Sequence, residues 1–511
     1  MPVKLQAARH VARGRCVMDA SLTALGPERM SLMRSSGERM DIVAAFRSVD
    51  QHAKSSVGPD HIWRFSAKRA MIENAALSLC IGGDVLRAGV GLVDDGAFSF
   101  QSPAPGDDVS VAVRLDARLL ATMARAAPTS ARLWIRSSRS HFPLAWLDSS
   151  DIPNNFMTPE RLEAILARMS RTPWDIEAVF PSAGKLHMLG WAAPPKGALQ
   201  SLPSVMVDGQ PAHVLSHAAT NTSELYWPFT VERELGFYAV ADNAVRDDFV
   251  RIELSFAEDR PNPEHRRFPV YRYLGKVDQL GLPPLDNIRR VSGQRANQVS
   301  YFNGGFSDFN RFKSLILEQS GRRSLAGLRV LDWGVGCGRL IRFFIEAGAQ
   351  CTGIDIDADN IAWCGENFSN AKFYAVPLMP PTQLPGGEYD VIISSSVLSH
   401  LQKPAMEAWL GELARLLAPK GTAFLSFNGD GTSYLHGSRS IAALNALDTD
   451  GYFDEWRSAD LDTVIDDKEY YRLTLMTDQY AQDAFARHFM VDAIVRSVTS
   501  GHQNVAVVRR R

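Results

Sequence analysis

The sequence predicts a multidomain protein. Its N-terminal half is mostly β and sandwich-like, and its C-terminal half is α/β on a mainly parallel sheet. Three observations predict this. Short apolar runs recur between turn signals from about residue 61 to 257. A charged, Pro-rich tract at 258–286, with Pro261, Pro263, Pro269, Pro283 and Pro284, reads as a linker. From Leu328 an apolar, β-branched strand runs straight into a glycine-rich turn and an amphipathic helix.

The chain has 511 residues, 45% hydrophobic and 22% charged, which supports buried cores and excludes general disorder. Its length fits roughly three domains. With 55 basic and 57 acidic residues the net charge is −2, which removes the bulk electrostatic case for a nucleic-acid binder. No run approaches the roughly 18 uncharged apolar residues of a membrane helix, so no transmembrane segment is expected. Lys4, Arg9, Arg13 and Arg15 are followed by no apolar stretch, which argues against a secretory signal; an organelle transit peptide is the open alternative. The five cysteines, Cys16, Cys80, Cys337, Cys351 and Cys364, form no CxxC pair. That pattern fits free thiols in a reducing, cytoplasmic setting and no structural zinc.

Residues 1–60 lack sustained periodicity and are expected to be a mobile segment with one or two short helices. Residues 61–172 read as a β-rich domain with strands at Ala75–Ile81, Val109–Leu115 and Arg132–Ile135. Thr158-Pro159 opens its terminal helix, with Thr as N-cap and Pro at the first helical position. Residues 173–257 read as a sandwich-like domain with strands at Trp174–Phe180, Leu186–Trp191, Ser204–Val207, Leu225–Val231 and Val250–Phe256. Asp208-Gly209 supplies a hairpin turn there. Leu189–Ala192 with Val205–Gly209 is similar to small β-sandwich modules attached to bacterial glycan enzymes; a plain structural sandwich is the competing reading.

Chemistry concentrates at 287–511. The strand Leu328–Asp332 ends in an acid and enters Trp333-Gly334-Val335-Gly336-Cys337-Gly338, then a helix over Arg339–Ala347. Bare glycines let a ligand lie against such a turn and the following helix N-terminus. A dinucleotide site wants G-x-G-x-x-G; here the third glycine comes early and Arg339 holds the later position. A carboxylate at Asp332 would repel a pyrophosphate but would pair with the ammonium of an amino-acid cofactor. The next strand, Gln350–Asp355, ends in a second acid that can take both hydroxyls of a ribose, with Ile356 against an adenine. Further strands are expected at Ala371–Val376, Tyr389–Ser394 and Thr422–Phe427, with a helix at Lys403–Leu417. Phe489–Val498 and Asn504–Arg509 read as a closing antiparallel hairpin about Ser500-Gly501-His502.

From about 326 to 427 the chain resembles the class I S-adenosylmethionine (SAM)-dependent methyltransferases. Asp332–Gly338 matches their D-x-G-x-G-x-G motif, Gly353-Ile354-Asp355 the ribose-binding acid, Tyr389–Leu401 the fourth-strand signature, and Leu416–Gly421 the L-x-P-G-G turn, with Lys420 in place of one glycine. The resemblance implies a Rossmann-like seven-stranded sheet with a terminal antiparallel hairpin, an insertion at about 430–470, and SAM as cofactor. It implies a binding set of Asp332, Gly334, Gly336, Gly338, Asp355, Ile356, Val376 and Ser394. Val376-Pro377-Leu378 stands where the family often has an acid, so adenine recognition is expected to rest on backbone groups. The aromatic, Gly-rich stretch Tyr301–Phe312 is either a flap that brings Arg311 to the cofactor carboxylate or an aromatic face packed on the domain. The stretch Tyr470–Tyr480 with Gly501–Asn504 is similar to a bacterial subgroup associated with glycans or small molecules.

Methyl transfer is in-line displacement at an activated sulfonium, so alignment supplies much of the catalysis. An alcohol acceptor also calls for a base. The candidates are His400, Asp430 and His436, each after a strand end on the ligand side of such a sheet. Ser394-Ser395-Ser396 replaces the Asn/Asp-Pro-Pro-aromatic tetrad of amino-methylating DNA enzymes, no Pro-Cys dipeptide exists, and no acid lies between Asp390 and Glu407 to hold a metal. The expectation is therefore a metal-independent SAM-dependent methyltransferase acting on a small molecule or glycan, at oxygen, with the N-terminal β-domains open to a protein partner. The alternative is a non-catalytic SAM-binding or scaffolding module whose β-domains mediate glycan or protein binding.

Overall fold

In the computed structural model the described residues are the N-terminal strands named next, Arg168, and 174–192, 202–217, 236–242, 248–257, 268–293, 296–437 and 441–511. The chain divides into two compact units, Met1–Ala164 and Ile165–Arg511. In the first, Val17–Met18, Ser31–Met33 and Arg39–Asp41 pair as one antiparallel sheet. Ser56–Val57, Ile62–Lys68, Asp108–Arg114 and Phe98–Gln101 form a second sheet. Pro143–Asp148, Ala131–Arg136, Ala76–Ile81 and Asp84–Gly91 form a third. Extended pairs therefore stand inside 1–60, where short helices were expected; strands of two or three residues are too brief to show a period of two. The helix expected from Thr158 lies outside the described residues apart from Arg168.

The second unit opens with a sandwich of two four-stranded antiparallel sheets. One contains β1 (Trp174–Ser182), β2 (Lys185–Ala192), β5 (His213–His217) and β6 (Gly236–Asp242) in the order β1-β2-β6-β5. The other contains β3 (Ser204–Val207), β4 (Gln210–Pro211), β7 (Phe249–Ser255) and β8 (Val270–Tyr273) in the order β4-β3-β7-β8. Alternate residues of facing strands, among them Leu186, Met188, Phe237, Ala239, Val250 and Ile252, make its core. Asp208 and Gly209 both take positive φ, 48° and 81°, as a two-residue hairpin turn requires. The expected strand Leu225–Val231 lies outside the described residues. Strand β8 falls inside the tract read as a linker. Its outer edge meets a helix: the backbone N–H groups of Tyr271 and Tyr273 donate to Ser307 Oγ and Asn303 Oδ1. That contact covers a sheet edge which would otherwise be open.

Two helices follow, α1 (Leu285–Ser292) and α2 (Gln298–Ser320). Asn297 and Ser300 form a reciprocal capping box at the start of α2. Tyr301–Phe312 is thus the middle of a 23-residue helix, which corrects the flap reading. Phe302, Phe306 and Phe309 pack on Phe343, with Phe309 edge-on to Phe344. Glycine at 305 is demanded by proximity, since a Cβ there would lie 2.5 Å from the Arg339 carbonyl oxygen.

The remainder is one seven-stranded mixed sheet. Strands β9 (Arg329–Trp333), β10 (Gln350–Asp355), β11 (Ala371–Ala375), β12 (Tyr389–Ser394) and β13 (Leu417–Phe427) run parallel in the order β11-β10-β9-β12-β13. The antiparallel hairpin β17 (Gln503–Arg510) and β16 (Phe489–Thr499) closes the sheet beside β13. Helices α3 (Ile341–Glu346), α4 (Ala358–Asn367) and α5 (Lys403–Leu416) connect its strands. Consecutive residues serve opposite cores: Val330, Val391 and Phe424 face α2 and α3, while Leu331, Ile392 and Leu425 face α5. Burial on both faces explains the near-continuous apolar runs that made these strands visible in the sequence. The insertion comprises α6 (Asp430–Gly437), α7 (Ile441–Thr449) and the hairpin β14 (Tyr452–Arg457) with β15 (Arg472–Met476); α8 (Asp478–Phe485) then leads to β16.

Candidate active site

Parallel strands place their ligand crevice beyond their C-terminal ends, where the order reverses between β9 and β12. A cleft of about 800 Å³, partly open to solvent, lies there. Gly334 and Gly336 form its floor, with Asp355, Ile356 and Val376 on the β10–β11 side. Ser395, Ser396, Val397 and His400 line the β12 side. Arg290 and Val291 of α1 and the apolar group Trp333, Leu401, Trp409, Leu461, Tyr470 and Tyr471 complete it.

The turn works by close approach. Gly334 (φ 78°) and Gly336 (φ 52°) take left-handed conformations. A Cβ at Gly334 would stand 2.2 Å from Val397, and one at Gly336 would stand 2.6 Å from Val291. Gly338 (φ 83°) differs: its Cβ would strike the Phe368 ring at 2.6 Å, so it serves the packing of α4 and does not line the cleft. Gly336→Ala is expected to cost about 1–2 kcal/mol for the left-handed backbone alone. With the Val291 clash added, it should lower the melting temperature by a few degrees and weaken S-adenosylhomocysteine binding at least about tenfold, read by scanning fluorimetry and calorimetry.

Two carboxylates flank the turn, Asp332 buried and Asp355 half-buried on the cleft wall. Asp355 accepts the Gly336 N–H at 2.7 Å on one oxygen and the Asp357 N–H at 2.9 Å on the other, and burial lifts its pKa to about 6. Burial lifts Asp332 to about 7, against the pull of the nearby Arg339 guanidinium. Arg290 donates to Asp357 at 2.8 Å, fastening α1 over this corner. Ile356 and Val376 offer apolar walls. The donor set therefore fits SAM: acids for a ribose diol and an ammonium, apolar walls for a purine, and a side-chain-free turn between them.

On the far side, Ser396 holds a positive φ of 66°. Its N–H donates to Ser426 Oγ, and its hydroxyl accepts from Gln503 Nε2 at 3.0 Å. This network fixes the turn that carries His400. The His400 Nδ1 lies 3.0 Å from the Arg472 carbonyl oxygen, so Nδ1 carries the proton and Nε2 the lone pair. Arg472 N–H returns a bond to the His400 carbonyl, and Tyr471 stacks on the ring at 4.4 Å and 14°. Burial lowers the His400 pKa below its usual value and keeps the ring neutral.

Of the expected site residues, Gly334, Gly336, Asp355, Ile356, Val376 and His400 line the cleft, and Asp332 lies buried beside the turn. Ser394 is buried with its hydroxyl unpaired, and the cleft is lined instead by the next three residues. Arg311 is buried against Asp308 and the Val498 carbonyl, away from the cleft. Asp430 exchanges bonds with Asp478: its N–H donates to the Asp478 carboxylate and its Oδ1 accepts the Asp478 N–H. It begins α6 outside the cleft, and His436 sits on the same helix, also outside it. Sequence reasoning missed Arg290, Val291, Trp409 and Leu461; only Tyr470-Tyr471, an aromatic pair closing the insertion, left a visible signal. Among the described residues no group of three or more His, Cys, Asp or Glu could hold a metal ion, and no helix is long and apolar enough to cross a membrane.

Residues 330–421 match the family model described as "Methyltransferase domain". The stretch of the α/β sheet that carries the glycine turn and the two acids thus matches a methyltransferase domain, and its cleft fits S-adenosylmethionine as cofactor. Among curated proteins, the chain is 28% identical over 173 residues to the ubiquinone biosynthesis O-methyltransferase of Psychrobacter cryohalolentis, covering 32% of this chain and 66% of that protein. It is 35% identical over 107 residues to the enzyme of that name from Bordetella pertussis, covering 20% and 44%. The matched stretch thus falls short of two thirds of either relative. A similar solved structure is the Burkholderia thailandensis 1,6-didemethyltoxoflavin-N1-methyltransferase with bound S-adenosylhomocysteine, at 16% identity and a TM-score of 0.30, covering 49% of this chain and 99% of that one.

Proposed function

We propose that the protein transfers a methyl group from SAM to a hydroxyl oxygen of a small, largely apolar acceptor. The observation that carries this reading is His400: a neutral imidazole on the cleft wall, its Nδ1–H committed to the Arg472 carbonyl and its Nε2 left as a base. The curated relatives' name, O-methyltransferase, supports oxygen as the acceptor atom.

Asp355 would hold the ribose hydroxyls, Ile356 and Val376 the adenine, and Asp332 the ammonium. The bound cofactor supplies a methyl group already activated on a sulfonium. His400 accepts the hydroxyl proton at Nε2, with Tyr471 and the Arg472 carbonyl fixing the ring plane. Trp409, Leu461 and Tyr470 exclude water from one wall. The Trp409 indole N–H and the Tyr470 hydroxyl both donate to the Leu378 carbonyl, which ties that wall to the loop after β11. The apolar lining favours a compact acceptor, a glycan fragment being admitted only through an exposed hydroxyl.

The test is turnover of SAM to S-adenosylhomocysteine by the full chain, presented with small phenols, alcohols and hydroxylated sugars. Product with a methylated hydroxyl supports the proposal. Tight cofactor binding with no turnover on any acceptor overturns it in favour of a non-catalytic SAM-binding module.

A further inference from the structure

The stretch Gly501–Asn504 of the closing hairpin has no part in the chemistry proposed above. Its Gln503 opens β17 and is 5% exposed, with its side-chain amide at the centre of a buried polar group. Gln503 Nε2 donates to Ser396 Oγ at 3.0 Å and to Ser399 Oγ and Asn428 Oδ1 at 3.3 Å each. Gln503 Oε1 accepts the Ser426 hydroxyl at 3.0 Å. Ser399, Ser426 and Asn428 are buried as well. Polar groups removed from water stay favourable only when bonded, and here one amide satisfies four of them.

The neighbours admit only an amide at this position. Ser426 Oγ already accepts the Ser396 N–H, so its own hydrogen goes to Gln503 Oε1. Asn428 commits its Nδ2 to the Thr474 carbonyl and therefore presents Oδ1. Ser399 gives its hydrogen to the Ser396 carbonyl, so it can only accept from the amide. The position calls for one acceptor and two donor hydrogens, which a glutamine side chain supplies. An ionised carboxylate there would set oxygen against oxygen, and an apolar side chain would strand every partner.

The four contacts brace both sides of the imidazole. On one side, Ser396 holds φ at 66°, a left-handed backbone that a serine keeps only where its surroundings impose it. Ser396 opens the turn that runs through Ser399 to His400. On the other side, Asn428 carries the bracing to Thr474 of β15, whose N–H meets the Ser399 carbonyl. Two residues earlier on β15, the Arg472 carbonyl takes the His400 Nδ1–H. Gln503 therefore joins the turn that carries the imidazole to the strand that fixes its tautomer. We propose that Gln503 is a positioning residue for methyl transfer, holding that turn and that strand together so that His400 keeps its proton on Nδ1 and its lone pair on Nε2. The proposal rests on the reading of His400 as the base.

The experiment is nitrogen NMR on the full chain labelled with ¹⁵N-histidine, His400 being the signal missing from His400→Ala. In the wild type His400 is expected to carry its proton on Nδ1 alone. In Gln503→Met, and in the isosteric Gln503→Glu, both tautomers should be populated. Turnover on the phenols, alcohols and sugars named above gives the second readout: Gln503→Met should lower kcat about tenfold, with S-adenosylhomocysteine affinity within about threefold of the wild type. In a His400→Ala background the same substitution should cost no further rate. A His400 signal that keeps the Nδ1–H tautomer in both variants overturns the proposal, as do equal rate losses in the two backgrounds, which would show a merely structural role. Should the Gln503 variants fail to fold, Ser399→Ala removes one arm of the brace and is read in the same way. A wild type whose His400 carries its proton on Nε2 refutes the base reading itself, and this proposal with it.

Discussion

Asp355→Ala is expected to weaken S-adenosylhomocysteine binding by at least about 100-fold at pH 8. The side chain is a cleft-lining carboxylate at the tip of β10, and both its oxygens are already oriented by backbone N–H groups of Gly336 and Asp357. Those bonds leave lone pairs for a ribose diol, and two hydrogen bonds to a charged acceptor contribute about 1.5–3 kcal/mol each. Its removal also strands the Gly336 N–H in the turn itself. Acid should reproduce part of the effect in the wild type. In the free protein burial raises Asp355 to about 6 and Asp332 to about 7, so Asp332 is half protonated at neutrality and Asp355 follows one unit lower. Diol and ammonium donors favour the charged forms, so binding lowers both pKa values and releases protons. Affinity is then complete only above about pH 8 and falls as the pH drops through 7 and 6. Calorimetry in buffers of different ionisation enthalpy would read the released protons directly. An affinity that stays flat between pH 8 and 5.5 would sink this account.

The second large effect concerns turnover. His400→Ala should lower kcat by about 10²–10⁴, the usual contribution of a positioned base, while S-adenosylhomocysteine affinity stays within a few-fold. Because burial depresses the His400 pKa, the base is neutral at and above pH 7, and the wild-type rate should fall only when acid reaches that lowered value. Added imidazole should restore part of the rate in the alanine variant. If kcat survives the substitution, the proton leaves by another route and His400 is a wall, not a base.

The parts of the fold that were legible share a cause. Leu328–Asp332 and Tyr389–Ser394 are buried on both faces, so their apolar runs are dense, and their ends carry the acid and the serines that a ligand would need. The closing hairpin and the Asp208-Gly209 turn were legible because their turn chemistry is local. The illegible parts depend on distant partners. Tyr301–Phe312 resembles a loop because Gly304-Gly305 interrupts it, yet the capping box at Asn297 and the close passage of Arg339 make it helix. Strand β8 hid among prolines, since its pairing with Phe249–Ile252 is tertiary information. Arg290 and Val291 belong to a helix outside any motif and reach the site only through Asp357 and Gly336. Asp430 and His436 follow a strand on the ligand side, as the reading required, but α6 turns them away from the cleft.

Strand β15 runs alongside the segment that follows β12: Thr474 N–H donates to the Ser399 carbonyl, Arg472 N–H to the His400 carbonyl, and Thr474 Oγ1 to the Leu401 carbonyl. The strand ends that carry the glycine turn and its acids, and the later segment that brings Leu461, Tyr470 and Tyr471 to the cleft, are therefore separate stretches of chain, joined by these three bonds and by the His400 Nδ1–H to the Arg472 carbonyl. Under the proposed function, grafting a different segment between Phe427 and Met476 would change which acceptor enters while leaving the cofactor end of the cleft intact, provided the graft brings back a strand able to make the same seam.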